Sequence, residues 1–221
     1  MKSYIELIKD LLEERRNIDQ AGPMEKYMKN KFPFLGIKKP ERQPILKNFY
    51  HQSGILKEAF QEEFIYELWD QPEREYQYVA LEYITKMMKQ LNKNHISLMS
   101  DLITTKSWWD TVDTLAAHPV GHIAAKSPEL IPSFISGWSE HENMWLRRTA
   151  ILFQLKYKEA TNEEILYRFI LANADSKEFF IQKAIGWALR EYSKTNQESV
   201  RKFISTSTLM PLSVREGSKY I

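Results

Sequence analysis

Between Lys106 and Asp113 the chain reads KSWWDTVD, two adjacent tryptophans and two carboxylates in one short stretch. Neighbours on a helix point about 100° apart, so no single surface buries both Trp108 and Trp109. Trp109 and Asp113 are one helical turn apart and share a face, as do Lys183 and Trp187 further along. An acid beside large aromatic faces favours positive charge, through Coulomb attraction and cation–π contact. It is poor equipment for hydrolysis that needs a carboxylate pair, one member of which protonates the leaving group. It suits a leaving group that needs no acid. A nucleobase alkylated on a ring nitrogen is such a group: it carries a formal positive charge and departs neutral. The deoxyribose left behind acquires oxocarbenium character, which one carboxylate can stabilise.

Other chemistries find little support. Cysteine is absent, which excludes disulfides and thiolate metal sites. The glycines, at 22, 36, 54, 121, 137, 186 and 217, are too scattered for a phosphate-cradling loop, and there is no Gly-x-Ser-x-Gly elbow. His118 and His122 are four apart, but no Glu follows the first, and His118 falls in line with Tyr83, Phe153 and Ala188 as a packing position. No metal and no cofactor are expected. The start, MKSYIELIKDLLEERR, turns charged too soon for a signal peptide, and no apolar run reaches the roughly 18 residues of a membrane span. A cytoplasmic protein is expected. Net charge is only +2, yet residues 25–48 hold Lys26, Lys29, Lys31, Lys38, Lys39, Arg42 and Lys47 against Glu25 and Glu41. Such a run is either a solvated helical face or a local patch for a polyanion.

The elements that position these residues are helices. Apolar periodicity predicts helices over 3–16, 23–31, 40–51, 58–69, 73–90, 94–104, 107–117, 128–138, 142–157, 161–172, 177–193, 197–205 and 211–221, with no run of strands. MWLRRTAILFQLKY (Met144–Tyr157) overlies FFIQKAIGWALREY (Phe179–Tyr192) at a shift of 35. The preceding helices obey the same shift, with Leu130, Ile165 and Val200 in one line and Phe134, Phe169 and Ile204 in another. Helix pairs at such a period predict an all-α solenoid, a single domain over 1–221. Its second helices sort into packed columns, Tyr76, Thr111, Leu146, Ile181 and Ala80, Leu115, Ala150, Ile185. On the opposite face Tyr78, Asp113, Arg148 and Lys183 align, with Arg74, Trp109, Met144 and Phe179 one turn earlier. One turn later come Leu81 or Glu82, Ala117, Leu152 and Trp187. This register makes Trp108 a core residue. It sets Trp109, Asp113 and Trp187 on a concave groove, flanked by the cations Arg148 and Lys183; the alternative for Trp187 is packing against a neighbouring repeat.

TKSWWDTVD, WLRRTAILFQLKYK, SKEFFIQKAIGWALREY and, near the start, YMKNKFPFLGI together resemble the HEAT-like-repeat DNA glycosylases of the AlkD type, the bacterial alkylpurine DNA glycosylases. The resemblance covers essentially the whole chain, with the segments in the same order. It implies a right-handed α–α superhelix that grips double-stranded DNA and releases 3-methyladenine and 7-methylguanine. It also implies a monomer without lyase chemistry, metal or cofactor, and without base flipping. The family's catalytic aspartate corresponds to Asp113, its flanking tryptophans to Trp109 and Trp187, and its groove arginine to Arg148. The helix around GPMEKYMKNKF, with Tyr27, is expected to approach DNA, together with Lys38, Lys39 and Arg42. The chain departs from the family's usual residues at Lys38, Lys39 and Gln43, in the segment expected to set affinity and lesion range. Two other readings belong to different classes: a non-catalytic DNA-binding paralogue on this scaffold, and a protein-binding helical scaffold. An acid framed by two tryptophans argues against the last.

Overall fold

The computed structural model describes residues 2–221, and their regular structure is all helical. The chain gathers into two compact units, the first ending at Gln90 and the second running Leu91–Ile221. The first unit contains α1 (Tyr4–Glu13), α2 (Ile18–Tyr27), α3 (Lys39–Ser53), α4 (Glu62–Asp70) and α5 (Arg74–Lys86). The second contains α6 (Ile96–Thr104), α7 (Trp109–Leu115), α8 (Gly121–Lys126), α9 (Ser136–Ser139) and α10 (Met144–Leu152). It continues through α11 (Glu163–Leu171), α12 (Phe179–Tyr192), α13 (Gln197–Thr206) and α14 (Pro211–Gly217). No helix among the described residues is long and apolar enough to cross a membrane.

The 35-residue period sets where helices begin. α5, α7, α10 and α12 start at Arg74, Trp109, Met144 and Phe179, the column that the sequence aligned. Both packing columns are buried throughout. Asn162 and Asn196 cap α11 and α13 by accepting from Ile165 N and Ser199 N, which satisfies donors that a helix start leaves open. Bonds between successive pairs repeat at nearly the same spacing: Arg148 to Asp113, Tyr157 to the Gly121 carbonyl, Asn173 to the Ser139 carbonyl, Ser199 to Glu163. The face opposite the columns is less open than the register implied. Arg74 and Leu152 on it are fully buried, and the Arg74 guanidinium lies 3.9 Å from the centroid of Phe32.

Several helices differ from expectation for local reasons. α2 begins at Ile18 because Asn17 caps it, and Pro23 is accommodated inside the helix. The single helix expected over 107–117 runs on instead through a π turn, Ala116–Val120, into α8. Pro119 has no N–H to give and its ring crowds the carbonyl four residues back; a turn widened by one residue relieves both. Pro132 sits in a second π turn, Ile131–Ile135, which leads into α9. The extra residue at 116–120 rotates His118 out of line with Phe153 and Ala188. Those two are buried while His118 is exposed, so it is no packing residue.

The core of the second unit is aliphatic, with Ile151, Leu152, Ile170, Ile181, Ile185 and Leu189 at its centre. Gly121 lets α8 close on the end of α10, since a Cβ there would lie 2.5 Å from the Phe153 carbonyl oxygen. In the first unit Phe49 stacks on Phe64, whose ring meets Tyr83 edge-on at 5.5 Å.

Candidate functional site

After α6 ends at Thr104, Lys106 takes a left-handed conformation (φ 48°) and Trp108 an extended one, and that turn launches α7. The Trp108 ring lies 5.0 Å from Phe180 and 5.7 Å from Trp145. It is half-buried in an aromatic cluster, not in the helix-pair core where the sequence had placed it. With Trp108 outside the helix as its cap, Trp109 opens α7 and Asp113 follows one turn on, both half-buried.

Arg148 reaches across from α10. Its Nε donates to Asp113 Oδ1 at 2.6 Å and its Nη2 to Oδ2 at 2.9 Å, a bidentate pair. Its Nη1 donates to the carbonyl of Phe180 at the start of α12. Arg148, expected as a groove cation, is 4% exposed and turned onto Asp113 and the Phe180 carbonyl. One repeat separates it from Asp113 in the same column, so the nearest opposite charge lies directly across. Burial pushes the Asp113 carboxyl above the ordinary aspartate range, the Arg148 bonds and charge pull it back down, and the net direction is upward.

On α12, Trp187 is half-buried and packs against the core to which Ala117 belongs. Lys183, expected as a groove cation, has its ammonium 3.3 Å from Glu216. Phe179 at the start of the helix is 58% exposed. The sequence did not single out Phe180, Trp145 or Glu216. Trp145 and Phe180 do share a 35-residue line with Glu75 and Asp110, a column that mixes types and gave no signal.

In the first unit Tyr27, Lys38 and Lys39 are exposed. Arg42 is not: its guanidinium donates to the Ile37 carbonyl at 3.2 Å and to Glu82 at 3.5 Å, and lies over the Tyr78 ring. The expectation of a surface cation at 42 is therefore corrected: although Arg42 is three residues from Lys39 on the helix, Glu82, the Ile37 carbonyl and the Tyr78 ring draw its guanidinium inward. Beside it the buried Glu75 carboxylate accepts from the backbone N–H groups of Leu35, Gly36 and Ile37. Those bonds anchor the FPFLGI segment from which Lys38 and Lys39 emerge. Among the described residues no group of three His, Asp or Glu side chains converges as a metal cage.

The sequence model of the DNA alkylation repair enzyme family matches residues 8–221. The chain belongs to this family. Among solved structures, a "Predicted DNA alkylation repair enzyme from Enterococcus faecalis" is 36% identical to it with a TM-score of 0.85, covering 93% of this chain and 96% of that one. No match is found among curated proteins. In this DNA alkylation repair family member, the Asp113–Arg148 pair and the tryptophans of α7 and α12 all belong to the second unit, where α10 packs against both α7 and α12.

Proposed function

We propose that the protein is a monofunctional DNA glycosylase that hydrolyses the N-glycosidic bond of cationic alkylpurines, 3-methyladenine and 7-methylguanine, in duplex DNA. The observation that carries this reading is the bidentate pair that Arg148 makes with Asp113, one turn after Trp109 on α7. Burial of this aspartate favours the neutral acid, and two bonds from a buried arginine pull it back toward the carboxylate that the chemistry requires. The C1′–N bond breaks with its electron pair going to the base, which leaves neutral. Asp113 stabilises the oxocarbenium ion, and water adds to C1′ and loses its proton to solvent. Trp109 and Trp187 offer ring faces to the sugar or the cationic base, at about 0.5–2 kcal/mol each.

Magnitudes bound the contribution of Asp113. A carboxylate about 4 Å from the sugar cation, at an effective dielectric near 20, gives about 4 kcal/mol. The guanidinium on its far side, about 8 Å from that cation, opposes it by about 2 kcal/mol. About 2 kcal/mol remains, between one and two decades of rate. A protonated Asp113 would contribute none of this, so the arginine assists on balance. The base stays in an open groove and is not flipped into a pocket; the enzyme acts as a cytoplasmic monomer with no metal or cofactor. Exposed Lys38, Lys39 and Tyr27 approach the DNA from the first unit.

The test is release of free base from a duplex carrying 7-methylguanine by the purified protein. Release at a rate proportional to enzyme, leaving an intact abasic strand, is expected. Tight binding without release would instead mark a non-catalytic DNA-binding protein.

A further inference from the structure

Glu216 sits where α14 packs on α12. Opposite it α12 carries Gly186, and a Cβ at that position would lie 2.4 Å from the Cβ of Glu216. The missing side chain lets α14 settle on the α12 backbone, which delivers the Glu216 carboxylate between Lys183 and Arg190. Its Oε1 lies 3.3 Å from the Lys183 ammonium, and its Oε2 lies 3.1 Å from the Arg190 guanidinium and 2.7 Å from the Lys219 ammonium. The Arg215 guanidinium stands farther off, at 4.0 Å.

Fastening one helix to another requires one cation per carboxylate. Here the cations exceed the single negative charge, so the cluster keeps a positive surplus. Exposure divides its members: the Glu216 side chain is 9% exposed, while those of Lys183, Arg190 and Lys219 are 38%, 26% and 47% exposed. The acid forms a floor and the cations a rim open to solvent. The bond from Lys219, with help from Lys183, holds the Glu216 carboxyl down to about 2, so the floor stays charged at any pH of use. Trp187 lies on the same stripe of α12, four residues after Lys183 and three before Arg190.

We propose that Lys183, Arg190 and Lys219, gathered by Glu216, form an anchor for a single phosphodiester of the DNA strand that passes Trp187. Converging ammonium and guanidinium donors match the anionic oxygens of one phosphate, and charge-assisted bonds of this kind are strong. Because the donors are already collected, little side-chain freedom is lost on binding. The inference rests on the reading of this protein as one that acts on DNA.

Duplex binding measured over a series of salt concentrations tests it, because the slope of log K against log salt counts the phosphates neutralised, about 0.9 per phosphate. The double variant Arg190→Gln/Lys219→Gln should lose about one unit of slope in total, one phosphate's worth. A loss of about two units would place the two cations on separate phosphates and overturn the shared anchor. An unchanged slope would reduce the cluster to a fastening of α14. Lys219→Gln alone, at a half-exposed position, gives a second measurement if the double variant folds poorly: it should weaken binding while Lys219→Arg does not, and equal binding by both would overturn the anchor. If the unaltered protein itself binds duplex without salt dependence, the DNA reading fails along with the anchor. A steep slope that the variants leave untouched defeats the anchor alone.

Discussion

Asp113 is subject to two opposed influences, burial that raises its pKa and Arg148 that lowers it. Catalysis by the carboxylate requires the ionised form, so the rate should rise with pH through that raised pKa and then level off. Arg148→Met removes the opposing influence. The acid limb of kcat/KM should therefore move to higher pH, while the rate well above the limb should rise, by up to the roughly 2 kcal/mol that the guanidinium opposes. A profile whose limb stays in place, or moves down, would mean that Arg148 does not govern Asp113. Asp113→Asn keeps the shape and removes the charge. It should lower base release more than tenfold, consistent with the roughly 2 kcal/mol assigned above. A variant retaining over about a tenth of the activity would relieve Asp113 of its role, since that corresponds to only about 1.4 kcal/mol.

Helix–helix approach fixes the site at the next scale. α8 is seated on α10 through Gly121, and Tyr157 donates its hydroxyl proton to the Gly121 carbonyl. Gly121→Ala forces a Cβ against the Phe153 carbonyl, an overpacking that costs about 1–3 kcal/mol. The melting temperature should fall by about 2–4 °C for each kcal/mol lost. An unchanged melt would show that this contact yields freely. Glu216 contributes an acid-sensitive bond between α12 and α14. Its carboxyl is depressed in the folded state, so its stabilisation is present above the unfolded value, about 4.3. That stabilisation is lost as pH falls through about 2. Urea midpoints of the unaltered protein and Glu216→Gln should converge as pH falls over that window. A constant gap would contradict the assignment.

The element scale also shows what the sequence could convey. The packing columns and the starts of α5, α7, α10 and α12 were legible because a fixed period repeats the same burial at every turn of the array. Pairing across helices was not. Register told that Arg148 shares a face with Asp113, but not that the two would meet and bury a guanidinium. The π turns were hidden because Pro119 read as lying past a helix end and Pro132 as an ordinary member of the helix expected over 128–138, while here each sits in a widened turn within a continuing helix. Arg42 looked like its neighbours Lys38 and Lys39, and only the fold separates a cation turned onto Glu82 from two that face water.

For the whole molecule, net charge of +2 conceals local concentrations of positive charge. In the 25–48 segment Lys26, Lys29, Lys31, Lys38, Lys39 and Lys47 are exposed, while both acids bond to backbone N–H groups, Glu25 to Phe34 and Glu41 to Lys38. Two basic surfaces, one in each unit, favour binding that weakens steeply with salt. Phosphate contacts of that kind would be blind to the lesion, so on the proposed reading lesion choice must come from chemistry. A carboxylate and tryptophan faces stabilise a sugar cation but do not protonate a departing purine. Substrates should therefore divide by leaving-group charge. The most direct measurement is free-base release by the unaltered protein from matched duplexes that differ only in the lesion, 7-methylguanine in one and hypoxanthine in the other. Release of 7-methylguanine with hypoxanthine left largely in place is the predicted result. Comparable rates on both would require an acid that protonates the base, and would contradict the role given to Asp113.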